Sequence, residues 1–347
     1  MHVKSLTLFC VTAILSILLL TGLSAEKKSK KEVDDDQATI RANVDMVSLP
    51  VVVSDRTGKR IVDLTKDDFR VFENGVQQDI AGFAATDEPL KIVLLLDTSG
   101  STELELAKIQ NAAIKFVHQL HPDDEVAVIS FADDVKLQYD FTIDRDRNEY
   151  GIKKTRSGGC TVEYEAVWLA LEEVLKPIRE RKALVLFTDG VDTCSHKASL
   201  KETLDLAKET QATIYCVYYD TEADQYKRRP AGSYPTSLPP IGPPVVLTPR
   251  PGIYGGPGSS SSEYSAGREY LNKLAEYSGG LVLDGMEDLS YAFSEVAKEL
   301  ASQYSIGYYA KDLKHDGKFR KVEVKLNKPD LVARTKKGYF TKKDEKK

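Results

Sequence analysis

From Lys91 onward, short continuous apolar runs alternate with longer segments whose apolar residues recur every three to four positions. The first run, Ile92-Val93-Leu94-Leu95-Leu96, has no polar face, the mark of a strand buried on both sides of a sheet, and it stops abruptly at Asp97. A helix is predicted over 103–120, with Leu106, Ile109, Ala113, Phe116, Val117 and Leu120 on one side. Further strands are expected at 125–131, 183–188, 213–219 and 281–283, and further helices at 163–175, 199–209, 268–277 and 289–301. This order predicts an open, mostly parallel, doubly wound α/β sheet, in which ligand sites lie beyond the C-terminal strand ends.

The pattern differs on either side. Residues 38–88 alternate and turn like antiparallel strands, at 47–54, 69–73 and 76–83, with Asn74-Gly75 suited to a tight type I′ turn. Residues 303–340 alternate again, with strands expected at 304–309, 319–326 and 331–334 and His315-Asp316-Gly317 as a turn. The two stretches are expected to build one small, sandwich-like β module flanking the α/β domain of 89–302. Within that domain, 224–265 is rich in Pro, Gly and Ser and reads as a flexible insertion. Residues 26–37 read as a charged spacer, and 341–347 as a solvated tail.

The N-terminus changes the setting. Lys4, an apolar run from Leu6 to Leu20, and small residues at Gly22, Ser24 and Ala25 resemble an export signal over 1–25, cut near Ala25 or retained as a tether. The chain is therefore expected in the periplasm or outside the cell, with no membrane insertion after cleavage. A net charge of −5, with cations and anions interspersed, offers no basic groove for nucleic acid.

The chemistry gathers at strand ends. Asp97-Thr98-Ser99-Gly100-Ser101 brings a carboxylate and two hydroxyls into one tight loop, and Thr188-Asp189-Gly190 places a second carboxylate at an equivalent strand end. Hard oxygen donors, few of them charged, suit Mg²⁺, with Mn²⁺ or Ca²⁺ as alternatives. A cation held by hydroxyls and waters stays electrophilic, so an exposed Asp or Glu carboxylate of a protein partner can complete its shell.

Asp97-x-Ser99-x-Ser101, with Asp189-Gly190 after a later apolar strand, resembles the metal-ion-dependent adhesion site of von Willebrand factor A-type domains. The family's third element is a threonine after a glycine pair. Here Thr161 follows Gly158-Gly159-Cys160, and Cys160 departs from the usual pattern. The resemblance implies direct coordination by Ser99, Ser101 and Thr161, with Asp97 and Asp189 acting partly through water. The layout, with Asp67-Asp68-Phe69 and Glu73-Asn74-Gly75 in the β module and a Gly338-Tyr339 ending, is similar to a group of exported bacterial proteins called VWFA-related. For that group the resemblance implies a fold and a metal, not a ligand. The expected function is non-enzymatic, adhesion-type binding.

Two other readings stand beside it. A metal-dependent hydrolase would need a positioned base, yet Ser99 and Ser101 lie outside Gly-x-Ser-x-Gly, and no motif surrounds His118, His121, His196 or His315. No phosphate loop is present either. A structural envelope protein whose metal only stabilises loops is the second alternative. Cys160 and Cys194 both fall in loops at the expected metal edge, where a disulfide would clamp them, and Cys216 and Trp168 read as core.

Overall fold

The computed structural model describes residues 46–219, 260–285, 288–312, 314 and 316–341. The expected export signal, the charged spacer, the start of the β module, residues 224–259 of the Pro/Gly/Ser stretch, His315 and the end of the tail lie outside the described residues. Among the described residues, no helix is long and apolar enough to cross a membrane.

In chain order the strands are β1 (Val47–Asp55), β2 (Phe69–Glu73), β3 (Val76–Gln78), β4 (Ile80–Ala84), β5 (Lys91–Asp97), β6 (Glu125–Phe131), β7 (Val135–Thr142), β8 (Lys182–Thr188), β9 (Thr213–Tyr218), β10 (Val282–Asp284), β11 (Gln303–Tyr308), β12 (Phe319–Leu326), β13 (Leu331–Arg334) and β14 (Gly338–Phe340). The helices are α1 (Leu106–Gln119), α2 (Arg145–Lys154), α3 (Glu163–Trp168, continued to Leu175 with wider turns), α4 (Leu200–Glu209), α5 (Ser261–Ser278) and α6 (Leu289–Ala301).

Six strands form the central sheet in the order β10-β9-β8-β5-β6-β7. All neighbours are parallel except β7, which runs antiparallel to β6. Strand β5 shows why the apolar runs are continuous. Ile92, Leu94 and Leu96 pack with Phe116 of α1 and Phe293 of α6, while Val93 and Leu95 pack on the other face with Val167, Leu204 and Leu271. Each such buried aliphatic side chain contributes about 1.5–3 kcal/mol, and β5, central in the sheet, carries its terminal Asp97 into the interior.

The hairpin β7 and helix α2 were not expected. Val135-Lys136-Leu137-Gln138-Tyr139 is an edge strand, half-solvated, without the clean apolar run of its neighbours. Helix α2 buries only Asn148, Gly151 and Ile152, so it carries no apolar stripe to read. Its N-terminus is instead set by Asp144, which accepts hydrogen bonds from the backbone of Asp146 and Arg147.

The remaining strands form two antiparallel sheets: in β13-β1-β11-β4 N-terminal and C-terminal strands alternate, and in β14-β12-β2-β3 a C-terminal pair meets an N-terminal pair at β12 and β2. Asn74 and Gly75 take positive φ values of 48° and 83°, as the type I′ turn requires. The expected strand at 76–83 is two strands: the chain breaks at Asp79, β3 pairing with β2 and β4 with β11. Helix α5 also begins earlier than expected, inside the Pro/Gly/Ser stretch. Ser260 caps it and Glu263 returns to the Ser260 backbone, so one serine of the run is a helix start and not a linker residue. Trp168 is half-buried, not enclosed in the core.

Candidate metal centre

Strands β5 and β8 are hydrogen-bonded neighbours, so their C-terminal ends bring Asp97 and the Thr188-Asp189 pair together. Asp97 is fully buried, and its two carboxylate oxygens have different duties. Oδ1 accepts the backbone N–H of Ser99 at 2.8 Å, which folds the loop back over the strand end. Oδ2 accepts the Thr188 hydroxyl at 2.9 Å, which ties one strand end to the next. The hydroxyls of Ser99 and Ser101 lie 3.0 Å apart. Asp189 holds its own loop by accepting the N–H of Val191 at 3.1 Å.

Thr161 reaches the same region through backbone bonds. Gly158 donates to the carbonyl of Thr98, and Gly100 donates to that of Gly159, each at 3.0 Å, so the glycine loop lies against the Ser99 loop. The carbonyl of Thr161 accepts from Thr193 and Cys194, and its N–H donates to the Thr193 hydroxyl at 2.8 Å. A disulfide joins Cys160 to Cys194 beside these bonds. The glycine pair has a local reason: Gly159 has φ 78°, and a Cβ there would stand 2.1 Å from the carboxylate of Asp133. That carboxylate accepts the N–H of Cys160 at 2.7 Å. Three loops from separate parts of the chain are thus stitched into one surface.

The electrostatics are one-sided. Burial, and then the charge of Asp189, push the Asp97 carboxyl above the ordinary aspartate range, against the pull of its hydrogen bonds from Ser99 and Thr188. Glu163, at the start of α3, is pushed well above the usual range by burial and by the charges of Asp97, Asp189 and Asp192. Both its carboxylate oxygens are buried, without a hydrogen-bond partner among the described residues. Sequence reasoning missed Glu163 because an acid in the first turn of a helix is ordinary helix chemistry. It also missed Asp192, which accepts the N–H of Tyr164 at 3.0 Å and so fixes the start of α3.

Among the described residues, no three His, Cys, Asp or Glu side chains form a group able to hold an ion by themselves. A cation here would need the hydroxyls of Ser99, Ser101 and Thr161 as well as carboxylates, which is the mixed oxygen set that suits a hard divalent ion. The buried Glu163 carboxylate, without a hydrogen-bond partner among the described residues, fits such an ion. His196 lies on the surface, where its backbone N–H donates to Glu165, and the Cys216 thiol is free, buried and pushed upward by burial.

Residues 91–232 match the profile of the von Willebrand factor type A domain, and this part of the chain is a domain of that family. Among solved structures, the chain is similar to a von Willebrand factor type A protein from Catenulispora acidiphila, at 13% identity and TM-score 0.45, over 80% of this chain and 74% of that one. It is similar to the conserved hypothetical protein BatB from Bacteroides thetaiotaomicron, at 17% identity and TM-score 0.42, over 61% of this chain and 97% of that one. A third similar structure is proximal thread matrix protein 1 of the mussel byssus, described with a zinc-occupied MIDAS motif, at 17% identity and TM-score 0.43, over 66% of this chain and 49% of that one. No curated protein sequence matches the chain.

Proposed function

We propose that this chain is an exported, non-enzymatic binding protein of the adhesion type. It holds one divalent cation, Mg²⁺ in preference, through Ser99, Ser101 and Thr161, with Asp97 and Asp189 contributing partly through water. An exposed Asp or Glu of a protein partner then completes the shell. The observation that supports this reading is the convergence of hydroxyl and carboxylate oxygens on three loops around the buried acids Asp97 and Glu163, each pushed upward by burial and by the charge of neighbouring acids.

Catalysis is less well supported. The hydroxyls of Ser99 and Ser101 bond to each other, while His118 and His121 sit on the surface beside Glu149 and Asp123. A metal that merely stabilises loops is also less well supported, because backbone hydrogen bonds and a disulfide already join these loops.

The test is calorimetric titration of Mg²⁺ and Mn²⁺ into the chelator-stripped protein, beside Asp97→Ala and Ser99→Ala. Wild type is expected to bind one ion, and the two variants, still folded by circular dichroism, none. Absence of binding to wild type at millimolar metal would remove the basis of the proposal.

A further inference from the structure

Glu163 stands at the first turn of α3, two residues after Thr161, and is fully buried. Among the described residues neither carboxylate oxygen has a hydrogen-bond partner, and the charged groups that act on it are Asp97, Asp189 and Asp192, all of them acids. A buried carboxylate costs several kcal/mol unless a cation or hydrogen-bond donors face it. Here the neighbouring side chains among the described residues supply neither.

We infer that Glu163 is an outer-sphere anchor for the cation: its carboxylate accepts hydrogen bonds from waters bound to the ion instead of touching the ion itself. The inference rests on the cation-binding reading above. An outer-sphere place agrees with the absence, among the described residues, of any three acids grouped closely enough to hold an ion by themselves. Water on the ion supplies the donors that Glu163 lacks, and the carboxylate in turn orients that water and adds charge to the site. Thr161 and Glu163 would then act from one helix start, the hydroxyl on the ion and the acid one layer behind.

The experiment compares Mn²⁺ titration and thermal melting of wild type, Glu163→Gln and Asp97→Ala. Gln keeps the size of the side chain and removes its charge. Glu163→Gln is expected to weaken Mn²⁺ binding by about 10–100-fold, the usual effect of losing an outer-shell partner. Its metal-free melting temperature should equal or exceed that of wild type. Affinity within twofold of wild type, while Asp97→Ala is blind to Mn²⁺, overturns the role of Glu163 and leaves the cation site standing. A fall in metal-free stability together with affinity also overturns it, since Glu163 would then be needed for the fold alone. If wild type binds no Mn²⁺, the cation reading and this inference fall together.

Discussion

Lys336 is a cation placed where the sequence offers no hint of burial. It is 2% exposed, its Nζ donates to the carbonyl of Thr210 at 3.0 Å, and the Tyr339 ring lies beside it. Desolvation lowers its ammonium to about 8. The folded state therefore releases the proton more readily than the unfolded chain, whose lysine keeps an ordinary value of about 10.4. Between those values the unfolded chain binds more protons, so stability should rise with pH from about 8 to about 10. Lys336→Met removes that dependence. Urea denaturation of both proteins should show the wild type gaining about 2–3 kcal/mol relative to the variant across that range, and parallel pH profiles would refute the buried ammonium. In sequence, Thr335-Lys336-Lys337 reads as surface charge, just as Glu163 reads as a helix-start acid. Asp97, Ser99, Ser101 and Asp189 were legible for a different reason: each follows an apolar run, so local order alone places it at a strand end. What buries Lys336 or isolates Glu163 comes from segments distant in sequence.

Helix α5 approaches the Asp189 loop more closely than any side chain would allow. A Cβ at Gly267 would stand 2.5 Å from the carbonyl oxygen of Gly190, and Gly190 itself has φ 80°. Two glycines, 77 positions apart by their numbers (267 less 190), thus let backbone meet backbone directly behind Asp189. Gly267→Ala must push the helix or the loop outward, at a cost of about 1–3 kcal/mol. Denaturant titration should show that loss, and calorimetry should show weaker Mn²⁺ binding, because the loop displaced is the one carrying Asp189. Full stability in the variant would mean that the close approach does not constrain the fold. The sequence could not show this contact, since α5 begins inside a stretch that composition assigns to a loop. The fully buried strands were legible because both faces are apolar. Elements with little to bury, β7 and α2, were invisible to the same reasoning, and the break at Asp79 was hidden because β3 and β4 each alternate well alone.

The flanking sheets depend on both ends of the chain. Strand β1 lies between β11 and β13, and β12 joins β2 to β14, so the N-terminal strands have C-terminal partners on either sheet. Alternation predicted these strands but not their interleaving, which pairs residues more than 250 positions apart, such as Val47 with Tyr308. The β strands are tied to the α/β domain by a charged cluster. Glu299 of α6 is 5% exposed and accepts from Arg60 Nε at 2.9 Å, while its other oxygen pairs with Arg334 of β13. Arg60 also reaches Glu295 at 3.0 Å. One acid on the last helix therefore holds a cation from each end of the chain. Removing a buried partner costs about 3–5 kcal/mol in full burial, and the partly exposed arginines reduce this to about 1–3 kcal/mol. Glu299→Gln keeps the shape of the side chain and removes its charge, so the loss falls on the coupling between the flanking sheets and the central one. The variant should unfold in two steps in guanidinium, the flanking strands first, where wild type unfolds in one. Hydrogen exchange should show residues 47–55 losing protection before residues 92–97. Coincident loss in both segments of the variant would mean that strand interleaving alone couples the sheets, and that the Arg60-Glu299-Arg334 cluster adds nothing to it.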